Sequence, residues 1–148
     1  MSRFVKPETK ILRISGGDTL TVKRRLNSGE KRAAFARMSE STPSGELRVN
    51  RLQVGVAMIV SYLMDWSLTD DNGVVVQIRE QPPEVVTAAL DALDDESYAE
   101  IRDAIELHDA ETRTAREQEK NGLDGANGSS AISPSPVVAA GDTNGLVN

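Results

Sequence analysis

Between Tyr62 and Ile78 the chain reads YLMDWSLTDDNGVVVQI, an apolar run that reaches the single tryptophan, Trp66, and crosses Asp70-Asp71-Asn72-Gly73 into three consecutive valines. Asn and Gly both tolerate positive φ, so Asn72-Gly73 is a strong turn signal and predicts a small central hairpin pairing Trp66–Thr69 with Val74–Ile78. Residues of this kind build a packed scaffold, and none of them is a catalytic group. The flanking segments must therefore supply the layers that cover it.

Upstream, Leu52, Val56, Ile59, Val60, Leu63 and Trp66 recur at helical spacing and trace one apolar face, which predicts a helix running to the tryptophan. The β-branched density leaves a strand over Leu47–Ile59 as the alternative, while Ala57, Met58, Leu63 and Met64 favour the helix. A lone Trp at the end of such a run reads as a core anchor, with an interface hot spot as the second reading. Downstream, Gln81-Pro82-Pro83-Glu84 stops the strand and opens a helix, since proline suits the first turn and Glu84 the positive end of the helix dipole. Its buried stripe is Val85, Val86, Ala89, Leu90 and Leu93. Asp94-Asp95 then recaps the chain into a last helix that buries Tyr98, Ile101 and Ile105. Beyond Leu107 that helix is polar all round as far as Lys120 and is expected to project into solvent or await a partner.

Toward the N-terminus, Leu12 and Ile14, then Leu20 and Val22, alternate with period two on either side of Gly16-Gly17-Asp18, the pattern of a β-hairpin. Asn27-Ser28-Gly29-Glu30 is a capping box. It predicts a helix over Ser28–Ser39 with Ala34, Phe35 and Met38 on the inner face, ended by Thr42-Pro43-Ser44-Gly45. The fold class is accordingly α+β and mainly helical, with an N-terminal hairpin, a small central hairpin, about four helices and a disordered C-terminal tail. Residues 1–8 read as a flexible N-terminus and 9–120 as one domain. Residues 121–148, rich in Gly, Ser and Pro, read as a tail that cannot bury enough apolar surface to offset its ordering entropy.

Composition closes several routes to chemistry. With no cysteine and a single histidine, disulfides, thiolate nucleophiles and Cys-type zinc sites are excluded together. No signal-peptide order is visible at the N-terminus, and Val54–Met64, the longest apolar stretch, is far short of the ~20 residues that span a bilayer. A soluble intracellular protein is expected, without membrane contact. Residues 1–51 carry 12 Lys or Arg against 5 Asp or Glu, and residues 52–148 carry 5 against 18, so halves of net +7 and −13 give the total of −6. Such opposed halves attract one another within a fold or between copies in a homo-oligomer, over a range of ~8 Å at physiological salt.

The motifs that invite function resolve into structure. If Gly73 were the sixth position of a calcium loop, Leu68 would stand at the first ligand place and Arg79 where a bidentate glutamate is required. Gly16-Gly17 lacks the Gly-Lys-Ser/Thr ending and the following helix of a phosphate loop. His108 has no second histidine and no placed nucleophile, and is expected to face solvent or a helix end. Asp94-Asp95-Glu96 are cap residues. Lys23, Arg24, Arg25, Lys31, Arg32 and Arg37 form a basic patch without stacking aromatics, because helical phase places Phe35 inside; a solvated face or a dock for an acidic segment is expected, not nucleic acid. Neither enzymatic activity, cofactor nor metal is expected.

Three segments together resemble the tail assembly chaperones of long-tailed, siphovirus-type bacteriophages: GGDTLTVKRRLNSGEKRAAFARM, YLMDWSLTDDNG, and QPPEVVTAALDALDDESYAEIRDAI followed by a charged helix and a Ser/Pro tail. They span residues 16–120 with gaps. The resemblance implies a largely helical late protein of the host cell cytoplasm. It would bind the phage tape measure protein, keep it soluble, engage the tail tube protein during assembly, and stay out of the virion. The partner-binding residues it suggests are Leu63, Trp66, Val85, Val86 and Leu90. The competing reading is a structural virion protein of the tail or head-tail junction, and a weaker third is a host-directed adaptor or a small DNA-associated protein using the basic N-terminal half.

Overall fold

A computed structural model describes residues 2–132, with side chains through Gly122. The N-terminal hairpin forms as its alternation predicts: β1 (Thr9–Arg13) pairs antiparallel with β2 (Thr19–Lys23), and Leu12 stands opposite Leu20. The tip is a 3-10 turn, Ser15–Gly17, in which Gly16 and Gly17 take φ of 70° and 80°, a region costly for any residue with a Cβ. Glu100 holds this tip from a distant helix, accepting from the Ser15 N–H at 2.6 Å and from its hydroxyl at 2.8 Å.

Helix α1 (Ser28–Met38) begins at the expected box: the Asn27 side chain accepts from the Glu30 N–H at 2.8 Å, and the Glu30 carboxylate accepts from the Asn27 N–H at 3.3 Å. Two details differ from the sequence reading. Only Ala34 is fully buried, and Phe35 is 54% exposed, because the helix rests on the Ala34–Met38 line and Phe35 lies about 100° round from Ala34. The helix also stops at Met38, before the Thr42–Gly45 turn. That turn closes a second hairpin, β3 (Ser39–Ser41) with β4 (Leu47–Val49), in which Gly45 takes φ 87°.

Helix α2 (Arg51–Tyr62) is capped by the Asn50 side chain, which accepts from the Leu52 N–H at 3.0 Å. It ends four residues earlier than its apolar spacing suggests, passing without a loop into β5 (Leu63–Trp66). Strand β5 pairs with β2, giving the order β1-β2-β5, and the register jumps: Val22 faces Leu63 while Thr21 faces Asp65. Met64 is the extra residue of a β-bulge. The bulge restores Leu63 and Trp66, three apart, to the same inner face, where they are 7% and 5% exposed. A three-residue spacing that reads as helical in the sequence is thus the signature of a bulged strand. Leu52, the first member of the expected apolar face, is 87% exposed at the start of α2.

The Asn72-Gly73 turn is made, with Gly73 at φ 77° and the Asp70 N–H donating to the Val74 carbonyl at 2.8 Å. Its arms pair at one bridge, Thr69 with Val75. Trp66 belongs to the main sheet instead, opposite Leu20, and reaches the other arm by donating its indole N–H to the Val76 carbonyl at 2.7 Å.

Helix α3 (Pro83–Asp91) buries Val86 and Leu90, whereas Val85 is 41% exposed. Helix α4 (Asp95–Ile132) starts under an Asp94 cap that accepts from the Ser97 N–H and hydroxyl, each at 2.8 Å. One core joins Leu20 and Val22 of the sheet to Ile59, Tyr62, Ile78, Leu90, Ile101 and Ile105. His108 belongs to it, at 3% exposure, correcting the expected solvent-facing position. Its Nε2 lies 2.9 Å from the Lys23 carbonyl and its ring meets Tyr62 edge-on at 5.2 Å, while the Tyr62 hydroxyl donates to Asp109 at 2.6 Å. The compact unit ends at Ala110, and the described residues from Glu111 belong to a second unit. Of the segment expected as a tail, residues 121–132 belong to α4, and 133–148 lie outside the described residues.

Candidate functional site

The alternation that sends Leu20 and Val22 into the core sends Thr21 and Lys23 to the opposite face of the sheet. Helix α1 stands along that face, and the irregular stretch Ile78–Gln81 closes the far side. Between them lies a groove of about 630 Å³ whose apolar lining comes from Val60, Leu63, Ile78 and Val86. Six charged side chains also line it, Lys23, Arg37 and Arg79 against Glu30, Asp65 and Glu80. A second depression of about 440 Å³ shares Arg37, Val60 and Pro83 with the first and continues onto Thr87, Ala88 and Asp91 of α3. The two make one trough along α2.

Lys23 and Glu30 form an ion pair at 3.4 Å between β2 and α1. Both are about a third exposed, so the pair contributes at most about 1 kcal/mol and serves mainly to fix the two walls relative to each other. Glu80, at φ 60°, is the one non-glycine residue with positive φ among the described residues, and it sits in the trough wall. Such a conformation costs of the order of 1 kcal/mol or more and persists where the surroundings hold it.

Of the five partner-binding candidates, Leu63, Trp66, Val86 and Leu90 are core residues between 1% and 7% exposed. Leu63 and Val86 also contribute to the groove lining, whereas Trp66, Val85 and Leu90 line neither depression. The structure therefore brings two of the five to one site. Of the charged lining, Lys23 and Arg37 stood in the basic patch read from the sequence, while Glu30, Asp65, Arg79 and Glu80 escaped as site residues; a signal for the groove existed, since Thr19, Thr21 and Lys23 occupy the polar phase opposite Leu20 and Val22, marking a sheet face outside the core.

No group of three or more His, Cys, Asp or Glu residues able to hold a metal ion occurs among the described residues. Asp94 and Tyr98, whose ionisation is displaced, lie outside the trough. The Asp94 carboxyl is lowered, chiefly by the Ser97 backbone hydrogen bond and then by the Ser97 hydroxyl; the Tyr98 phenol is raised, chiefly by burial. No described helix is long and apolar enough to cross a membrane. No protein-family model, curated protein or solved structure matches the chain.

Proposed function

We propose that this chain is a non-enzymatic tail assembly chaperone of a long-tailed bacteriophage. In this reading it acts in the host cytoplasm, binds the tape measure protein and leaves before the tail is complete. The observation that carries the binding step is the trough, an apolar floor between charged walls of both signs. A tape measure protein is a long helical chain whose apolar stripes aggregate unless covered, and an amphipathic helix laid in a groove is the economical way to cover one. Lys23, Arg37 and Arg79 would meet carboxylates beside that stripe, and Glu30, Asp65 and Glu80 would meet its lysines and arginines. The family resemblance of the three sequence segments supports the same reading.

The test is co-expression with the tape measure protein of the phage that encodes this chain. Ala33 is exposed on α1 and lines the trough, so Ala33→Trp fills the groove without entering the core. Wild type should keep the tape measure protein in the soluble fraction, and Ala33→Trp, folded by circular dichroism, should not. Full rescue by the folded variant sinks the trough as the binding site. A fixed stoichiometric copy number in purified particles sinks the chaperone reading and favours a structural virion protein.

A further inference from the structure

The main sheet ends in two strands, β1 and β5, that differ in regularity. On β5 the extra residue Met64 breaks the register, and a bulge of this kind twists an edge away from new partners. Strand β1 has no such break: its five residues pair one for one with β2, from Thr9 opposite Lys23 to Arg13 opposite Thr19. Where its backbone groups point follows from the bonds at either end of that ladder. The Arg24 N–H donates to the Glu8 carbonyl at 2.8 Å and the Ile14 N–H to the Asp18 carbonyl at 3.0 Å, so Glu8, Lys10, Leu12 and Ile14 stand in the hydrogen-bonded pairs. Thr9, Ile11 and Arg13 stand in the alternate pairs, and their N–H and C=O groups point away from β2 along the open edge. All three residues are exposed, and none of these backbone groups has a hydrogen-bond partner among the described residues.

The side chains define the strand that fits. Ile11, 62% exposed, sits at the middle of the edge on the face it shares with Thr9 and Arg13, while Lys10 and Leu12 take the other face, where Leu12 packs against the core. The charges along the edge are cationic, Lys6, Lys10 and Arg13, and the nearby Glu8 is already paired with Arg24 at 3.3 Å. Two copies of β1 laid edge to edge would bring these cations together, which is how lysine-bearing edges resist pairing with their own kind. A strand with carboxylates opposite Lys10 and Arg13 and apolar side chains opposite Ile11 and Leu12 meets the charge and the apolar surface together. We propose that β1 is a docking edge for an extended acidic segment of another protein, which joins the sheet as a fourth, antiparallel strand with two apolar residues between its carboxylates. The outward groups of Thr9, Ile11 and Arg13 supply the main-chain bonds, and the cations select the partner. Ile11 and Arg13 line neither depression of the trough, so this contact stands or falls independently of the tape measure reading.

Titration of the isotope-labelled full chain with the peptide acetyl-GEVVETG-amide, followed by NMR, tests it. Saturable binding should shift the amide resonances of Thr9, Ile11 and Arg13 and slow their exchange with solvent, while Lys10 and Leu12, already bonded to β2, keep their protection. Affinity should fall at least about tenfold from low to high salt, and by a similar factor with acetyl-GKVVKTG-amide. Ile11→Pro removes an outward donor and no bond to β2, a change that edge strands tolerate, so the variant should stay folded by circular dichroism and bind at least about tenfold more weakly. Arg13→Glu leaves the backbone whole and should weaken the acidic peptide while strengthening the lysine peptide. No saturable binding up to about 10 mM peptide overturns the proposal, as does wild-type affinity in a folded Ile11→Pro protein. Equal binding of the two peptides overturns the acidic partner. Self-association in sedimentation velocity that Ile11→Pro abolishes would assign the edge to a second copy instead and overturn the proposal as well.

Discussion

Gly55 lies inside α2 where that helix crosses α4, and its substitution sets two known quantities against each other. Glycine in a helix interior is less favourable than alanine by about 0.8–1.0 kcal/mol, so Gly55→Ala gains that much from the backbone. A Cβ built there would lie 3.0 Å from the Tyr98 hydroxyl oxygen, 3.3 Å from Arg102 Cδ and 3.6 Å from Arg102 Cγ. Ordinary contact needs about 3.5 Å, so the phenol has to retreat by roughly half an ångström, whereas the Arg102 stem, on a side chain 40% exposed, can swing aside. Small overpacking of this kind costs about 1 kcal/mol. The two effects nearly cancel, and Gly55→Ala should lie within about 0.5 kcal/mol of wild type. Removing the hydroxyl removes the opposing contact. In a Tyr98→Phe background the same substitution should therefore stabilise by about 0.5–1 kcal/mol, a coupling measurable by urea unfolding of the four proteins of the cycle. An identical effect of Gly55→Ala in both backgrounds would refute the close crossing at Tyr98.

Trp66→Phe trims a side chain that is 5% exposed and leaves the Val76 carbonyl, on a residue 36% exposed, without its 2.7 Å indole donor; it should cost about 2–4 kcal/mol by chemical denaturation followed by circular dichroism. Asp94 has its carboxyl held below the ordinary range in the folded state, so its contribution is present above the ordinary carboxylate pKa and is lost as pH falls through the lowered value. Asp94→Ala should accordingly melt below wild type at neutral pH, and the gap should close on acidification below about pH 4; a gap independent of pH would remove the cap from the account.

Most of the architecture was legible because local signals and the core agreed. The Gly16-Gly17 hairpin, the Asn27–Glu30 box, the Pro83 start and the Asp94 cap are each set by residues within four positions of one another, and each forms where its sequence places it. What misled was periodicity that two structures share. Leu63 and Trp66 at spacing three fit a helix and a bulged strand equally, and only pairing with β2 separates them. Phe35 looked buried because its neighbours predict a helix, while the face a helix buries depends on what it rests against. The trough was least legible, since its walls come from β2, α1, β5 and the stretch after Ile78, and no single window of sequence contains them.

The absence of a loop between α2 and β5 has a mechanical consequence. The Leu63 N–H caps the helix by donating to Ile59 while Leu63 already pairs with Val22, so helix and strand share one residue and cannot pivot apart. At the other wall, α1 leads straight from Met38 into β3, and one residue, Asn50, separates β4 from α2. Three sides of the trough are thus braced at their corners. Under the proposed binding role, accommodation to guests of different girth would fall to the stretch from Ser67 to Pro82, which belongs to no helix and no sheet strand and carries Glu80 in its constrained conformation. A ligand that changes the shape of this protein should do so there first, and hydrogen exchange at those amides is where its arrival would register.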